Sequence, residues 1–313
     1  MVRVLVTGGA GFIGSYVSEE LLAEGHSVVV IDNLSTGQRH YIPSGAEFIE
    51  GDIRCPQQWS DQVGTIDGAI HLAAQASVPV GEKNPVYDLD VNLAATLKVI
   101  DAAHGLGAQE FRFASSAAVY GESAALPLKE STSVDPISFY GLSKASAESY
   151  IAHYANTRQM TAVVLRLANV YGPRQRFDGE GGVVAIFCHQ LAHGQWPVIY
   201  GDGQQTRDFI MVRDVARAFG HRLGHGAGGT FNIGTGQATR LQRMWEVLAG
   251  LGQWPVDNVH YEAMRSGDIR DSVMDITQAQ RWGFGPRVDL GEGLAQTLQY
   301  FVDGAQESKR QEI

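Results

Sequence analysis

The glycine-rich turn near the N-terminus constrains the fold of this chain more than any other feature. A short apolar run, Val2–Thr7, leads directly into Gly8-Gly9-Ala10-Gly11-Phe12-Ile13-Gly14-Ser15, and a helical pattern covers Phe12–Glu24. Glycine is needed there because a Cβ would obstruct the tight turn and the close approach of a ligand. The start of the helix offers free N–H groups and a favourable dipole to phosphate groups. We therefore predict a dinucleotide-binding unit in which the cofactor contacts Gly8, Gly11, Phe12, Ile13 and Gly14.

The first half of the chain continues as an alternation of strands and helices. Further strands are predicted at Ser27–Ile31, Glu47–Glu50, Gly68–Leu72, Glu110–Ala114 and Ala162–Leu167. Long helices are predicted at Pro85–Leu106 and Ser138–Thr157. This alternation is typical of a parallel sheet with helices on both faces and right-handed crossovers. The predicted fold class is α/β, a Rossmann-type doubly wound parallel sheet with a smaller mixed α/β substrate-binding lobe.

The pattern loosens from about Tyr171, where Pro- and Gly-rich stretches separate shorter helices. These helices are predicted at Val183–His193, Arg213–Leu223, Leu241–Leu251 and Gly291–Val302. We predict a dinucleotide-binding domain over 1–170 with return elements near 204–222, a mainly substrate-binding lobe over 171–303, and a polar tail at 304–313. Open α/β sheets bind ligands at the carboxyl edge of their strands, and we place the smaller lobe over that edge.

An acidic residue at the end of the second strand selects the dinucleotide. The carboxylate of Asp32 can accept hydrogen bonds from ribose hydroxyls, and it repels a 2′-phosphate. Asn33, which follows it, is a further candidate to contact the cofactor. No arginine follows until Arg39, so we predict NAD rather than NADP as the cofactor. Asp52 and Ile53, after the third strand, are candidates to hold the adenine, although a surface turn explains them nearly as well.

A tyrosine and a lysine four residues apart open the helix at Ser138–Thr157. Because positions four apart share a helix face, Tyr140 and Lys144 point the same way. A neighbouring ammonium is expected to lower the pKa of the phenol towards that of a useful base. Ser115 and Ser116 end a strand and place a hydroxyl near the same sheet edge. Beside a hydride acceptor, the serine, tyrosine and lysine form a group suited to proton transfer.

Composition limits the partners. The chain has 24 Lys and Arg against 34 Asp and Glu, a net charge of −10, so a broad nucleic-acid-binding face is not expected. Two cysteines, Cys55 and Cys188, are too few for a disulfide framework or a Cys-only zinc site, and we expect no metal. No apolar run approaches the ~20 residues that cross a bilayer. We predict a cytoplasmic protein with no membrane contact.

These motifs together resemble a known family. The chain is similar, from Val2 to about Tyr300, to the extended short-chain dehydrogenases/reductases, above all the NAD-dependent nucleotide-sugar epimerases of the UDP-glucose/UDP-galactose 4-epimerase type. The resemblance rests on the glycine turn, His71-Leu72-Ala73-Ala74, Asn92, Ser116, Tyr140 with Lys144, and Arg166-Leu167-Ala168-Asn169-Val170-Tyr171-Gly172-Pro173.

The resemblance implies a role for each matching residue. Tyr140 is the general base and acid, Lys144 tunes it and holds the nicotinamide ribose, and Ser116 hydrogen-bonds the reacting hydroxyl. The cofactor is lined by Leu72, Ala73, Ala74, Asn92 and Ser115. The nucleoside diphosphate is held by Asn169, Arg207, Arg265 and Asp268, and the uracil is enclosed by Val183, Val198 and Tyr200. Those last three are also consistent with plain core positions, and the two arginines with surface charges.

The implied reaction inverts C4 of a UDP-sugar through a transient 4-keto intermediate. Ala117 and Ala118 stand where similar dehydratases carry an Asp-Glu pair, which disfavours a dehydratase and, less strongly, a decarboxylase. Small Ser272, at a gatekeeper position, leaves room for an N-acetyl group. Arg176 matches a position that engages a carboxylate in uronate-specific relatives.

Several alternatives therefore stay open. UDP-glucose/UDP-galactose, their N-acetylated counterparts and UDP-glucuronate are all candidate substrates. A UDP-glucuronate 4-epimerase, a UDP-glucuronate decarboxylase and a non-catalytic protein that senses NAD or nucleotides are the alternative functions. The resemblance also implies a homodimer, formed by Pro85–Leu106 and Ser138–Thr157 as a four-helix bundle.

Overall fold

A computed structural model of the protein describes residues 1–178, 181–226, 228–264 and 269–311, and of 308–311 the backbone only. The strands are β1 Arg3–Thr7, β2 Ser27–Asp32, β3 Glu47–Glu50, β4 Gly68–His71, β5 Glu110–Ser116, β6 Thr161–Leu167, β7 Asn169–Tyr171, β8 Val198–Tyr200, β9 Thr206–Arg207, β10 Phe209–Met211, β11 Gly229–Ile233, β12 Thr239–Arg240 and β13 His260–Glu262. The α-helices are α1 Phe12–Ala23, α2 Ser60–Val63, α3 Val78–Lys83, α4 Pro85–Leu89, α5 Ala95–Gly105, α6 Phe139–Arg158, α7 Val183–Ala192, α8 Val212–Gly220, α9 Leu241–Gly252, α10 Thr277–Trp282 and α11 Leu290–Gln311.

A seven-stranded parallel sheet with the order β11-β6-β5-β4-β1-β2-β3 forms the centre of the fold. The chain runs outwards from β1 to β3 and then returns through β4 towards β11. The direction of winding thus reverses between β1 and β4, the place where open α/β sheets bind their ligands. The predicted Rossmann-type fold is confirmed, and the six predicted strands are present.

The seventh strand, β11, is one that the sequence analysis missed. It begins at Gly229, at the end of the glycine-rich stretch that we interpreted as irregular, and it pairs in register with β6 from Val163 to Leu167. Only four residues, Thr230 to Ile233, provide a strand pattern. The strand is stabilised by its pairing with β6, which is distant in sequence, rather than by local propensity.

Apolar residues on the strands and on two long helices build the core beside the sheet. Phe111 and Phe113 of β5, Val99 of α5 and Ile151 of α6 are fully buried in one cluster. Burial of side chains of this size contributes roughly 1.5–3 kcal/mol each. The long helix that we predicted at Pro85–Leu106 is divided into α4, a π-helical turn at Asp90–Ala94, and α5.

The chain divides into two compact units. Of the described residues, the first comprises those of 1–122, 130–167 and 215–233, and the second those of 123–129, 168–214 and 234–313. The domain bounds that we predicted, with a return near 204–222, stay predictions. The second unit holds three two-stranded pairings, β7–β10, β9–β12 and β8–β13.

The C-terminal helix is longer than predicted. We expected a polar tail from residue 304, but α11 continues to Gln311. Ala305 is buried, so the helix still packs in its last turns. None of the helices in the described ranges has the length and the apolar composition needed to cross a membrane.

Candidate active site

The glycine turn places the start of α1 close to the end of β4. Gly8 has a φ of +74°, and a Cβ there would lie 2.6 Å from the Ala73 nitrogen. A Cβ on Gly14 would overlap the carbonyl oxygen of Gly8. Gly11 precedes α1 and provides no capping side chain, so the first amides of the helix, at Phe12 and Ile13, have no side-chain acceptor there. This turn fits a pyrophosphate, and the contacts of its residues with the cofactor stay predictions.

Asp32 ties the end of β2 to the same turn. Its carboxylate accepts hydrogen bonds from the Ala10 amide at 3.0 Å and from the Leu34 amide at 2.8 Å. Burial raises the pKa of this carboxyl, and the two amides partly counter that effect. Asp32 therefore fixes the turn in addition to any contact with a ribose, a role that the sequence analysis did not predict.

The residues predicted to hold the adenine lie on a rigid turn after β3. Two guanidinium nitrogens of Arg54 donate to Asp52, the shorter bond at 2.7 Å, and lower the pKa of that carboxyl to about 2. Asn33 also donates to Asp52, at 3.4 Å. Ile53 is buried. Contacts of these residues with adenine stay predictions.

Asn92 fixes the segment that follows β4. Its Oδ1 accepts from the Gln75 amide at 2.9 Å, and its Nδ2 donates to the Gln75 carbonyl at 2.8 Å and to Asp88 at 3.1 Å. The half-buried residues Leu72, Ala73 and Ala74 lie on this segment. Their predicted contact with the cofactor, and that of Asn92, stays a prediction.

The three residues predicted to be catalytic come together in the first unit. Ser116 lies near enough to the Tyr140 phenol to influence its pKa. Lys144 is buried, and its Nζ donates to the Ala114 carbonyl at 2.9 Å and lies 6.0 Å from the centre of the Tyr140 ring. Gly141 permits this packing, since a Cβ there would lie 2.5 Å from the Ala118 oxygen.

The pKa of Tyr140 moves in the direction opposite to our expectation. Burial raises it, the nearby Ser116 hydroxyl lowers it, and the charge of Asp88 raises it further. The ammonium of Lys144 is directed to a backbone carbonyl, and it does not overcome the effect of burial. The pKa of Lys144 itself falls to about 8, because burial disfavours its charge more than Asp88 and Glu148 favour it.

A buried ion pair secures α6 to the sheet one turn beyond Lys144. Arg166 of β6 donates to both carboxylate oxygens of Glu148, at 3.0 and 2.6 Å, and to the Tyr120 hydroxyl at 2.9 Å. The Ser115 hydroxyl donates to Glu148 at 2.5 Å and is therefore directed into this network. The cofactor contact that we predicted for Ser115 stays a prediction. The sequence contains no signal that pairs Glu148 with Arg166, so the sequence analysis missed this network.

Two of the residues predicted to hold the nucleoside diphosphate, Asn169 and Arg207, belong to the second unit. Asn169 begins β7, and its amide donates to the Asp208 carbonyl at 2.9 Å. Arg207 lies in β9 and donates to the carbonyls of Thr206 and Arg270, at 2.8 and 3.1 Å. Arg265 and Asp268 lie outside the described residues. The second arginine of the predicted diphosphate clamp is therefore not placed.

The residues predicted to enclose the uracil are half-buried positions of the second unit. Val183 is the first residue of α7, and Val198 and Tyr200 are the ends of β8. Gln205 donates to the Tyr200 carbonyl at 2.6 Å. Arg176 is exposed and forms an ion pair with Asp178. The substrate roles of all four predicted positions stay predictions.

Comparison with known proteins identifies the family. Residues 4–234 match the model of the NAD dependent epimerase/dehydratase family. The chain belongs to this family. The UDP-glucose 4-epimerase of Mycolicibacterium smegmatis is 38% identical over 318 residues, which cover 97% of this chain and all of that one.

Two solved structures are similar over almost the whole chain. A UDP-glucose 4-epimerase of Thermotoga maritima with UDP-glucose is 37% identical, with a TM-score of 0.93 over 96% of this chain and 99% of that one. A UDP-N-acetylglucosamine 4-epimerase of Methanobrevibacter ruminantium, in complex with UDP-N-acetylmuramic acid, is 34% identical. Its TM-score is 0.92, over 97% of this chain and 99% of that one. The family resemblance predicted from the motifs is confirmed.

Membership of the NAD-dependent epimerase/dehydratase family confirms NAD as the cofactor. The residues present fit it, because the glycine turn leaves a cradle that a Cβ would fill and Asp32 stands at the end of β2. Within the described ranges, no group of three or more His, Cys, Asp or Glu side chains is arranged to hold a metal ion.

Proposed function

We propose that this family member is a UDP-sugar 4-epimerase that inverts C4 of UDP-glucose and UDP-galactose. The observation that supports this most strongly is the grouping of Ser116 and Tyr140 with buried Lys144, in a chain similar over almost its whole length to UDP-glucose 4-epimerases. The pair gives the protein a group that can exchange a proton with a sugar hydroxyl.

In the proposed mechanism the protein moves the proton of the C4 hydroxyl. NAD, when bound, would supply an acceptor for the C4 hydride. Tyr140 accepts the hydroxyl proton and later gives it back, while Ser116 orients the same oxygen. The nearby Ser116 hydroxyl and the Lys144 ammonium would offset part of the free-energy cost of a buried phenolate. The glycine turn and Asp32 would hold the pyrophosphate and the ribose.

The positions that would support other reactions lack the required groups. Ala117 and Ala118 form the 3₁₀ turn directly after Ser116 and cannot transfer a proton, which disfavours elimination of water. A UDP-glucuronate decarboxylase or 4-epimerase is the second candidate, because exposed Arg176 could engage a carboxylate after leaving Asp178. Half-buried Ser272, whose amide donates to the Thr206 carbonyl, leaves N-acetylated sugars as a further option.

We further propose that the protein is a cytoplasmic homodimer formed through α4, α5 and α6. Large apolar side chains are exposed on α4 and α6: Val86 is 76% exposed, Leu89 53% and Leu142 52%. Exposed apolar side chains on helices that pack against each other are typical of a protein–protein interface. A second copy of the chain would cover it in the four-helix arrangement that the resemblance implies.

A panel of sugars tests the proposed activity. Purified protein is incubated with UDP-galactose, UDP-N-acetylgalactosamine and UDP-glucuronate, and the products are identified by NMR. We expect the C4 epimer of at least the first sugar, without net consumption of NAD. Tyr140→Phe should lower kcat by at least about a thousandfold, since it removes the proton-transfer group. Tyr150→Phe, an exposed tyrosine of the same helix, is the matched control.

Two outcomes would overturn this proposal. Release of CO₂ from UDP-glucuronate with no C4 inversion would identify a decarboxylase. Tight NAD binding without turnover of any of the three sugars would instead favour a protein that senses NAD or nucleotides.

A further inference from the structure

A buried carboxylate beside the candidate catalytic residues has no role in the mechanism above. Asp88 of α4 is almost completely buried. Its Oδ2 accepts hydrogen bonds from Gln75 at 2.8 Å and Asn92 at 3.1 Å, which are neutral amide donors. Its Oδ1 is buried without a hydrogen-bond partner among the described residues. A buried carboxylate in this state is costly unless a positive charge balances it.

Other buried carboxylates of the described chain are balanced in ways that Asp88 is not. Glu110 and Glu148 form ion pairs with Arg112 and Arg166, at 2.5 and 2.6 Å. Asp208 accepts three backbone amides and a threonine hydroxyl. Among the described residues, neither an arginine nor a backbone amide donates a hydrogen bond to Asp88, so a charge that balances it acts through space.

Lys144 is the cation placed to balance Asp88. The helix α4 packs against α6, which contains Lys144. The Lys144 ammonium is buried as well, and its hydrogen bond goes to a carbonyl rather than to a carboxylate. Helix α3 closes the other side of Asp88, since a Cβ on Gly81 would lie 3.0 Å from its Oδ2. Two opposite charges are thus buried in one part of the first unit.

The other groups coupled to Lys144 do not provide this balance. Glu148, one turn further along α6, is neutralised by Arg166. His71 of β4 is neutral, because burial lowers its pKa to about 3. Tyr140, one turn back on α6, is uncharged until its proton is removed. Asp88 is therefore the uncompensated negative charge among the described groups that act on Lys144.

We propose that Asp88 is a positioning residue for the reaction: its fixed negative charge keeps the Lys144 ammonium charged in the dry site, while its hydrogen bonds hold the segment at Gln75. The inference rests on the proposed function in one respect, that Lys144 must be protonated for turnover. The charge of Asp88 also opposes formation of the Tyr140 phenolate, so it favours return of the proton to the sugar.

Asp88→Asn removes the charge and keeps the shape and one acceptor oxygen for Gln75 and Asn92. We expect the Lys144 side chain to titrate about one pH unit lower in this variant than in the wild type, followed by NMR of protein carrying ¹³C-labelled lysine. Lys144→Met assigns the resonance. The pH at which kcat/KM falls on the alkaline side should decrease by the same amount. At pH values above that point, kcat/KM should therefore be about tenfold lower than in the wild type, with KM for the sugar unchanged. Asp90→Asn, a more exposed carboxylate two residues away, is the matched control and should move neither quantity.

An unmoved Lys144 titration in a folded Asp88→Asn protein would overturn the proposal and leave Asp88 as a packing residue. If that variant does not fold, Asp88→Glu displaces the charge by one methylene. A changed Lys144 titration then supports the proposal, and an unchanged one contradicts it. The NMR titration needs no sugar, so failure of the proposed epimerase activity is distinguishable from failure of this inference.

Discussion

Gly14 lies where α1 crosses the glycine turn, and the absence of its Cβ allows the two to touch. A methyl group at this position would occupy the space of the Gly8 carbonyl oxygen, so either the helix or the turn would have to move. That oxygen also accepts the hydrogen bond from the Gly11 amide at 3.1 Å, which closes the turn. One substitution thus affects both the packing of the helix and the cradle for the pyrophosphate.

We expect Gly14→Ala to lower the free energy of unfolding by about 1–3 kcal/mol and to weaken NAD binding, because the added methyl overpacks the turn. Thermal unfolding and titration with NAD measure the two effects. Gly105→Ala is the matched control: that helical glycine has open space around its Cβ position, and alanine there should be neutral or stabilising by up to about 1 kcal/mol. Equal behaviour of the two variants would contradict this account of the turn.

Single residues were predictable where they belong to a short local motif. The spacing of glycines indicated Gly8 and Gly14, which lie at the turn before α1 and at its start. The strand pattern indicated Asp32 at the end of β2, and helical spacing indicated Tyr140 and Lys144, which both lie on α6. Residues whose partners are distant were not predictable in this way. The pairing of Glu148 with Arg166 joins a helix to a strand, and the sequence contains no pattern that links the two.

At the scale of elements, His71 joins three parts of the first unit. Its Nδ1 is 2.6 Å from the Thr7 hydroxyl of β1, and its Nε2 is 3.0 Å from the Thr96 hydroxyl of α5. The ring is fully buried, and burial lowers its pKa from 6.5 to about 3, with the charge of Lys144 acting in the same direction. The junction therefore depends on a neutral imidazole.

This junction predicts a pH dependence of stability. Because the folded-state pKa lies below the unfolded value, the unfolded chain takes up the proton first. The stabilisation is present above pH 6.5 and is lost as the pH falls towards 3, by about 5 kcal/mol in total. Denaturant unfolding of the wild type and of His71→Gln across this pH range measures the difference between their free energies of unfolding, which should shrink as the pH falls. His40→Gln, which changes an exposed histidine, is the control and should show the same dependence of the free energy of unfolding on pH as the wild type.

Elements were predictable where local pattern and tertiary packing agree. The strands from β1 to β6 and the helix α6 follow from buried apolar runs and helical spacing. The strand β11 was missed because its pairing with β6 comes from a segment more than sixty residues away. The π-helical turn that places Asn92 was also unpredictable, since it reflects the hydrogen bonds of Asn92 to Gln75 and Asp88 rather than residue propensity.

At the scale of the whole molecule, the proposed homodimer gives a direct test of the exposed face on α4 to α6. Leu142→Asp should convert a dimer into a monomer, because a carboxylate would be buried without a partner in the interface. Analytical ultracentrifugation measures the mass in solution. Leu251→Asp, which changes a 44% exposed leucine of α9, should leave the mass unchanged. A wild-type monomer, or an unchanged mass for Leu142→Asp, would contradict the proposed interface.

The most direct test of the proposed reaction follows the hydrogen at C4. An epimerase that works through a transient 4-keto sugar removes this hydrogen and returns it to the same carbon on the other face. Purified protein incubated with UDP-galactose deuterated at C4 should give UDP-glucose that retains the deuterium at C4, as measured by NMR and mass spectrometry. Loss of the deuterium to solvent, or formation of UDP-glucose only when fresh reductant is supplied, would contradict the account.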